Sequence, residues 1–341
     1  MPLIVIDDKI PYIKGQAERL GTTRYLPGAA IAREDVREAD VLIVRTRTRC
    51  DRALLEGSRV RLVVTATIGY DHLDTAYLDR AGIAWANCPG CNASSVAQYV
   101  ESALILLAEA GHINLGASTV GVVGVGHVGS LVAARAAALG MSVLRCDPPR
   151  QRNEGGYFVS LARLQQEADV VTFHTPLTTA GPDATFHLAG QAFFEGLKRR
   201  PVFINTSRGE VADTAALVRA IDSGQVRQAV IDTWEDEPRI SQALLQRAFL
   251  ATPHIAGYSA DGKANATRMA LETAARFLGR SDVAFHIAPP ALGIPADEIP
   301  AAPFARKLRL YDPRRDDAPL RARPADFERL RAEYPLRRER Y

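Results

Sequence analysis

Short runs of apolar, mostly β-branched residues alternate with helically spaced segments over the first ninety positions. The runs PLIVI (2–6), DVLIV (40–44), RLVVT (61–65) and IAWAN (83–87) predict buried strands. Residues 11–20 and 74–80 between them predict helices. Such alternation predicts a parallel sheet covered by helices. Residues 93–110 predict one long helix, because their alanine-rich composition and the run ALILLA suit burial along one side. A second and stronger α/β series starts at Ser118. Its first strand and turn, TVGVVGVGHVGS, lead into the helical pattern LVAARAAALG, and the next strand, MSVLRCD, ends at Asp147. Further strands are expected at 169–174, 201–205 and 228–232. From about Ser281 the texture changes. Pro289, Pro290, Pro295, Pro300 and Pro303 crowd together, and residues 301–341 carry 12 basic and 7 acidic side chains. That tail is expected to be a separate, smaller module.

The chain has 341 residues, enough for two or three domains with a large core. Its 42 lysines and arginines against 39 acids give a net charge of +3, too small to argue for nucleic acid or an anionic membrane as partner. The longest aliphatic stretch, residues 103–108, is far short of the ~20 apolar residues that span a bilayer. The start MPLIVIDDKIPY lacks the basic opening of a secretory signal. Four cysteines form no disulfide framework, so a cytoplasmic protein is expected. Cys88-Pro-Gly-Cys91 has the spacing of a redox or zinc site, but no second ligand pair completes one, and no metal is expected.

Gly124-Val-Gly126-His127-Val128-Gly129 fits GxGxxG between a buried strand and a helix. Gly124 permits the tight turn, Gly126 lets the backbone approach a pyrophosphate, and Gly129 allows close helix–strand packing. The N–H groups at the following helix start suit phosphates. Asp147, 18 residues past Gly129, stands where a carboxylate binds ribose hydroxyls and repels a 2′-phosphate, which favours NAD over NADP. Arg145, Arg150 and Arg152 nearby argue the other way.

Arg208, in INTSRGE, lies just past an apolar strand, where open α/β sheets bind ligands. It can clamp a carboxylate bidentately, or serve as an ordinary surface charge. Asp232, in IDTWEDEP, sits at the next strand end and could reach a nicotinamide. His254, in TPHIAGYS, suits proton transfer, and a carboxylate such as Glu237 beside it would stabilise its imidazolium form. His72, His112, His127, His174, His187 and His286 compete for that role, and position alone does not rank them.

Taken in order, GVGHVG with Asp147, NTSRGE, DTWEDEP and TPHIAGYS resemble the D-2-hydroxyacid dehydrogenase superfamily. Within it, IDDKIPY, NCPGCNASSVAQYV, HTPLTTAGPDATFHL and YDPRRDDAPLR are similar to the branch that oxidises 4-phosphoerythronate in pyridoxal phosphate biosynthesis. The resemblance implies an α/β protein in which a Rossmann domain (93–256) is inserted into a flavodoxin-like substrate domain (1–92 with 257–285). The active site is then expected where those domains meet, and residues 286–341 form a short C-terminal dimerisation-type segment. It implies NAD as cofactor, a small phosphorylated 2-hydroxy acid as substrate, and a homodimer. Carried over residue by residue, it makes His254 the acid/base, Glu237 its partner and Arg208 the substrate anchor. Asp147, Thr175, Asp232, Gly257 and the turn at 124–129 become NAD contacts. Thr46, Thr67 and Tyr258 become substrate contacts, with Thr46 standing where the family commonly has serine. Arg45 and Arg47 are added as phosphate partners on charge grounds. Another D-2-hydroxyacid dehydrogenase, or an NAD(H)-sensing binding protein, stays open as an alternative.

Overall fold

Strands whose every residue is apolar need cover on both faces, and each sheet of this protein has it. The computed structural model describes all residues, Met1–Tyr341, and the chain divides into two units. The first comprises Met1–Asn92 and Ala260–Ala291. Its strands are β1 (Leu3–Asp7), β2 (Thr22–Leu26), β3 (Val41–Val44), β4 (Leu62–Thr65) and β5 (Ala84–Ala86). They pair in parallel in the order β2-β1-β3-β4-β5, the flavodoxin-like arrangement. Alternate residues of one strand serve opposite faces. Ile4, Ile43 and Val64 pack with Ala270, Leu271 and Ala274 of the helix Ala260–Phe277. Val5, Leu42 and Val63 pack with Leu54 and Leu78 on the other side.

Two details depart from the sequence-based expectation. Residues 11–20 form turns and one 3-10 turn, Ala17–Arg19, instead of a helix. Pro11 has no N–H to give, and Tyr12 and Gly15 adopt φ of 62° and 80°, outside helical geometry. Strand β2 was not expected: TTRYL lies at the sheet edge, mostly half exposed, so it carries no apolar run.

The second unit comprises Ala93–Ser259 and Leu292–Tyr341. Its strands are β6 (Thr119–Val123), β7 (Ser142–Cys146), β8 (Val170–Phe173), β9 (Val202–Asn205), β10 (Gln228–Ile231) and β11 (Leu250–Ala251). All pair in parallel, in the order β11-β10-β9-β8-β6-β7. The order reverses between β6 and β8, the switch point at which open sheets bind ligands. The helix Ala93–Glu109 is buried over most of its length.

The tail does not stand apart. Tyr311, Leu320 and Phe327 are fully buried in this unit's cores. A segment of this size cannot bury enough apolar surface alone, so its few large side chains are spent on a neighbour's core. The chain also stays in the second unit three residues longer than the resemblance implied, through Ser259, which places Gly257 and Tyr258 there.

Candidate active site

The glycine turn follows β6. Gly124 has φ +82°, and a Cβ there would lie 2.8 Å from the His174 carbonyl, so only glycine fits. A Cβ on Gly129 would lie 1.9 Å from the Gly124 oxygen, which is how closely the helix His127–Ala138 approaches its own turn. At Gly126 a Cβ would meet nothing within 4 Å, and no side chain caps the helix start formed by His127 and Val128. This open, uncapped terminus suits a pyrophosphate. Asp147, at the end of β7, accepts the Val125 N–H through Oδ2 at 2.8 Å and the Arg150 N–H through Oδ1 at 3.0 Å. The turn therefore fixes the carboxylate in place. Arg150 is tied to Glu154 and to the Val125 carbonyl, and Arg152 to Asp183. Two of the arginines that argued for NADP thus already have carboxylate partners. Thr175 packs its methyl beside Gly124, and its hydroxyl is buried with no hydrogen-bond partner. A buried orphan hydroxyl calls for an explanation. Together with the open turn and the fixed Asp147, it is what a dinucleotide site would leave.

Strands β9, β10 and β11 are neighbours and parallel, so the loops at their carboxyl ends lie side by side. Arg208 follows β9, Glu237 follows β10 and His254 follows β11. Gly209 brings two of these loops into contact, since a Cβ there would lie 1.9 Å from the Trp234 carbonyl carbon. His254 Nδ1 is 3.0 and 2.9 Å from the two Glu237 oxygens. A carboxylate has no proton to give, so Nδ1 carries the hydrogen, and when the ring is neutral Nε2 holds the lone pair. Glu237 is itself held by the Trp234 N–H at 3.0 Å. Burial works to raise the Glu237 carboxyl, but the His254 hydrogen bond and charge, the Trp234 N–H and the Arg331 charge outweigh it and hold it below the usual value. It stays ionised to orient the ring.

The His254 loop is itself anchored. His254 has φ +55°, an uncommon conformation for a side chain-bearing residue, and its N–H donates to the Asp232 carbonyl at 2.8 Å. Asp232 is 1% exposed. Its Oδ1 accepts the Thr252 hydroxyl at 2.6 Å and the Ile255 N–H at 2.8 Å, and its Oδ2 accepts the Ala256 N–H at 3.0 Å. Burial pushes its carboxyl up, against the His254 charge and these hydrogen bonds. This side chain, which by its place at a strand end could reach a nicotinamide, also holds the histidine loop. Tyr99 extends the network, its hydroxyl 2.8 Å from that of Thr252.

Arg208 is half-buried, with one guanidinium N–H on the Ser207 carbonyl at 2.8 Å and no carboxylate partner. Most arginines in this chain are ion-paired, and this one is not. Among the competing histidines, His187 also meets a glutamate, Glu235 at 2.6 Å. That glutamate accepts the Thr214 N–H at 2.7 Å, and Phe186 stacks on the His187 ring at 4.0 Å, so the pair ties loops together. Burial drives the His174 pKa down to about 3, which keeps that ring neutral.

No local pattern in the sequence announces the contribution of the tail. Arg337, 1% exposed, donates to the carbonyls of Ser95 (2.6 Å), Ala256 (3.2 Å) and Ile255 (3.3 Å) and to Gln98 Oε1 (3.0 Å). Its guanidinium lies 3.6 Å from the Tyr311 ring centroid. Glu339 accepts the Ser259 hydroxyl at 2.6 Å. The loop bearing His254 is therefore held from one side by Asp232 and from the other by the last residues of the chain. The arginine-rich composition was visible in the sequence, but nothing local distinguishes one buried arginine among twelve basic residues.

The remaining expected contacts belong to the first unit. Arg45 and Thr46 follow β3, and Arg45 Nε donates to the buried Asp7 at 3.2 Å, which offsets part of its charge. Thr67 is half-buried, and its hydroxyl donates to the Gly69 carbonyl at 2.8 Å and lies 2.6 Å from that of Thr65. Lys263, not singled out in the sequence, stands on the helix Ala260–Phe277, where burial and then the Arg45 charge push its ammonium below the usual pKa. Two cations of this unit thus share one neighbourhood. Cys88 is buried, its thiol directed at the carbonyls of Thr65 and Ala266 and its pKa pushed up to about 12 by burial. All four cysteines are buried free thiols.

Comparison with known proteins places the chain in a family. Residues 99–256 match the family model for the D-isomer specific 2-hydroxyacid dehydrogenase, NAD binding domain. An erythronate-4-phosphate dehydrogenase of Bacteroides thetaiotaomicron is 51% identical over 338 residues, covering 98% of this chain and 97% of the relative. One from Porphyromonas gingivalis is 45% identical, covering 98% and 93%. Among solved structures, a D-lactate dehydrogenase of Treponema pallidum superposes with a TM-score of 0.68 at 22% identity, covering 82% of this chain and 97% of that one. A D-lactate dehydrogenase of Aquifex aeolicus, complexed with NAD and lactic acid, gives 0.62 at 23%, covering 82% and 96%. At those identities the solved structures speak for the fold alone. The near-complete alignment to the curated relatives speaks for more: the chain belongs to the erythronate-4-phosphate dehydrogenase family, within the D-2-hydroxyacid dehydrogenases.

Proposed function

We propose that this protein oxidises 4-phospho-D-erythronate at C2 to the corresponding 2-oxo acid, a step in pyridoxal phosphate formation. The observation that carries the reading is the His254–Glu237 pair, with an arginine that has no carboxylate partner following the neighbouring strand of a dinucleotide-type sheet. Arg208 takes the substrate carboxylate in its planar fork and fixes C2. His254 Nε2 accepts the proton of the 2-hydroxyl. Glu237 keeps the ring in the tautomer that frees Nε2 and stabilises the imidazolium that results. NAD, when bound, supplies the acceptor for the hydride that leaves C2, so the acid loses one proton and one hydride. The turn at 124–129, Asp147, Thr175, Asp232 and Gly257 would hold that cofactor. Tyr258 of the second unit and Thr46, Thr67 and Arg45 of the first are the proposed substrate contacts. To donate to an anion, Thr67 would turn its hydroxyl from Gly69. We also propose a cytoplasmic homodimer. Free buried thiols suit a reducing compartment, and the helix Pro303–Leu310 buries none of its residues and exposes Phe304. No helix is long and apolar enough to cross a membrane.

The test is a substrate panel with a carbonyl trap that removes the 2-oxo product. The expected result is a preference for 4-phospho-D-erythronate over D-glycerate and D-lactate of about 10²-fold or more in kcat/KM, the scale of one charge-paired contact. Equal or better turnover of the unphosphorylated acids would assign the protein another 2-hydroxy acid.

A further inference from the structure

Arg331 occupies an unusual position. It belongs to the short helix Phe327–Ala332 of the tail, and its guanidinium lies 5.9 Å from the centroid of the Tyr258 ring, four residues beyond His254. One terminal nitrogen is 3.3 Å from the Tyr258 hydroxyl and the other 3.2 Å from Glu328, at the outer limit of useful hydrogen bonds. Its Nε–H is buried and has no partner. Native proteins rarely leave a buried donor unpaired, least of all on a charged group. Its charge also helps to hold the Glu237 carboxyl down, so it stands within electrostatic reach of the His254–Glu237 pair. The second unit therefore offers Arg208, which has no carboxylate partner, and Arg331, whose Nε–H is unpaired and whose one ion pair, with Glu328, is 3.2 Å long.

The geometry points to Arg331 as a specificity-determining residue that receives the distal phosphate of the substrate, its fork turned from Tyr258 and Glu328 to phosphate oxygens. The inference rests on the function proposed above and deepens it. A substrate with a carboxylate at one end and a phosphate dianion at the other presents two anions to two arginines, and the phosphate has oxygens enough for both Nε and a terminal nitrogen. The clamp made by Arg337 keeps this part of the tail against the His254 loop, so the second cation needs no large rearrangement to act.

The test compares wild type, Arg331→Ala and Arg331→Lys on 4-phospho-D-erythronate and on D-erythronate. Binding of each acid to the NADH-loaded protein is measured by calorimetry alongside the kinetics. The expected result is a rise in KM and Kd for the phosphorylated acid of about 10²-fold in the alanine variant. kcat at saturation and all constants for D-erythronate should change little, and lysine should restore part of the loss. Thermal melting checks that both variants fold. Loss by the same factor on both acids would make Arg331 a support for Tyr258 and overturn the inference, as would no loss at all. A wild type that does not discriminate between the two acids would instead remove the proposed substrate, whatever the variants do.

Discussion

His254→Ala is expected to lower kcat on 4-phospho-D-erythronate by about 10²–10⁴-fold while leaving cofactor binding intact. The size follows from what the ring does: without a base at C2, the hydroxyl proton must go to water as hydride departs. Glu237 accepts from the histidine ring with both oxygens, so its effect should run through that ring. Glu237→Gln leaves a neutral acceptor at Nδ1 and removes the charge that stabilises imidazolium, and it should lower kcat with little change in KM. In the double variant the losses should not add, because a group acting only through His254 has nothing left to act on. Steady-state kinetics of the four proteins checks this. Losses that multiply would mean that Glu237 acts independently of the ring.

The second large effect is expected at Arg208. Removing one member of a close, desolvated charge pair costs about 2–5 kcal/mol, and each 1.4 kcal/mol is tenfold. Arg208→Ala should therefore lose about 30- to several thousand-fold in kcat/KM. Arg208→Lys keeps the charge but cannot match two carboxylate oxygens in one plane, so it should recover only a small part. Because Arg208 also positions C2, kcat should fall as well as KM rise. An alanine variant with near-normal kcat/KM would return this residue to the class of surface charges. Its one hydrogen bond, to the Ser207 carbonyl, is local, so a large loss on substitution would point to the substrate and not to the fold.

The parts legible in the sequence were those encoded over short distances. The glycine turn, the helix after Asp74 and the fully buried strands β3, β4 and β8 announce themselves by local sterics and by runs of mostly apolar positions. The edge strand β2 did not, because its residues face solvent at several points. Residues 11–20 misled for the opposite reason, since an apolar spacing is outweighed by Pro11 and two left-handed residues. The pairing of His254 with Glu237 was a possibility among many until the parallel order β9, β10, β11 set their loops side by side. The tail was the least legible. Its function in holding the loop depends on Arg337 reaching carbonyls more than eighty residues away in sequence, and no periodicity records such a contact. Asp232 shows the same limit: a carboxylate at a strand end suggests a ligand contact, and nothing local announces that it also accepts the Ile255 and Ala256 N–H groups next to His254.

The central step is direct transfer of hydrogen from C2 while His254 takes the hydroxyl proton. Turnover of 4-phospho-D-erythronate deuterated at C2, with NAD in ordinary water and a trap for the 2-oxo acid, examines that step by the mass of the NADH formed. Direct transfer predicts NADH heavier by one deuterium, with His254→Ala slowing its appearance without changing the label. Unlabelled NADH, or no NADH from a folded protein that binds the acid, would contradict it.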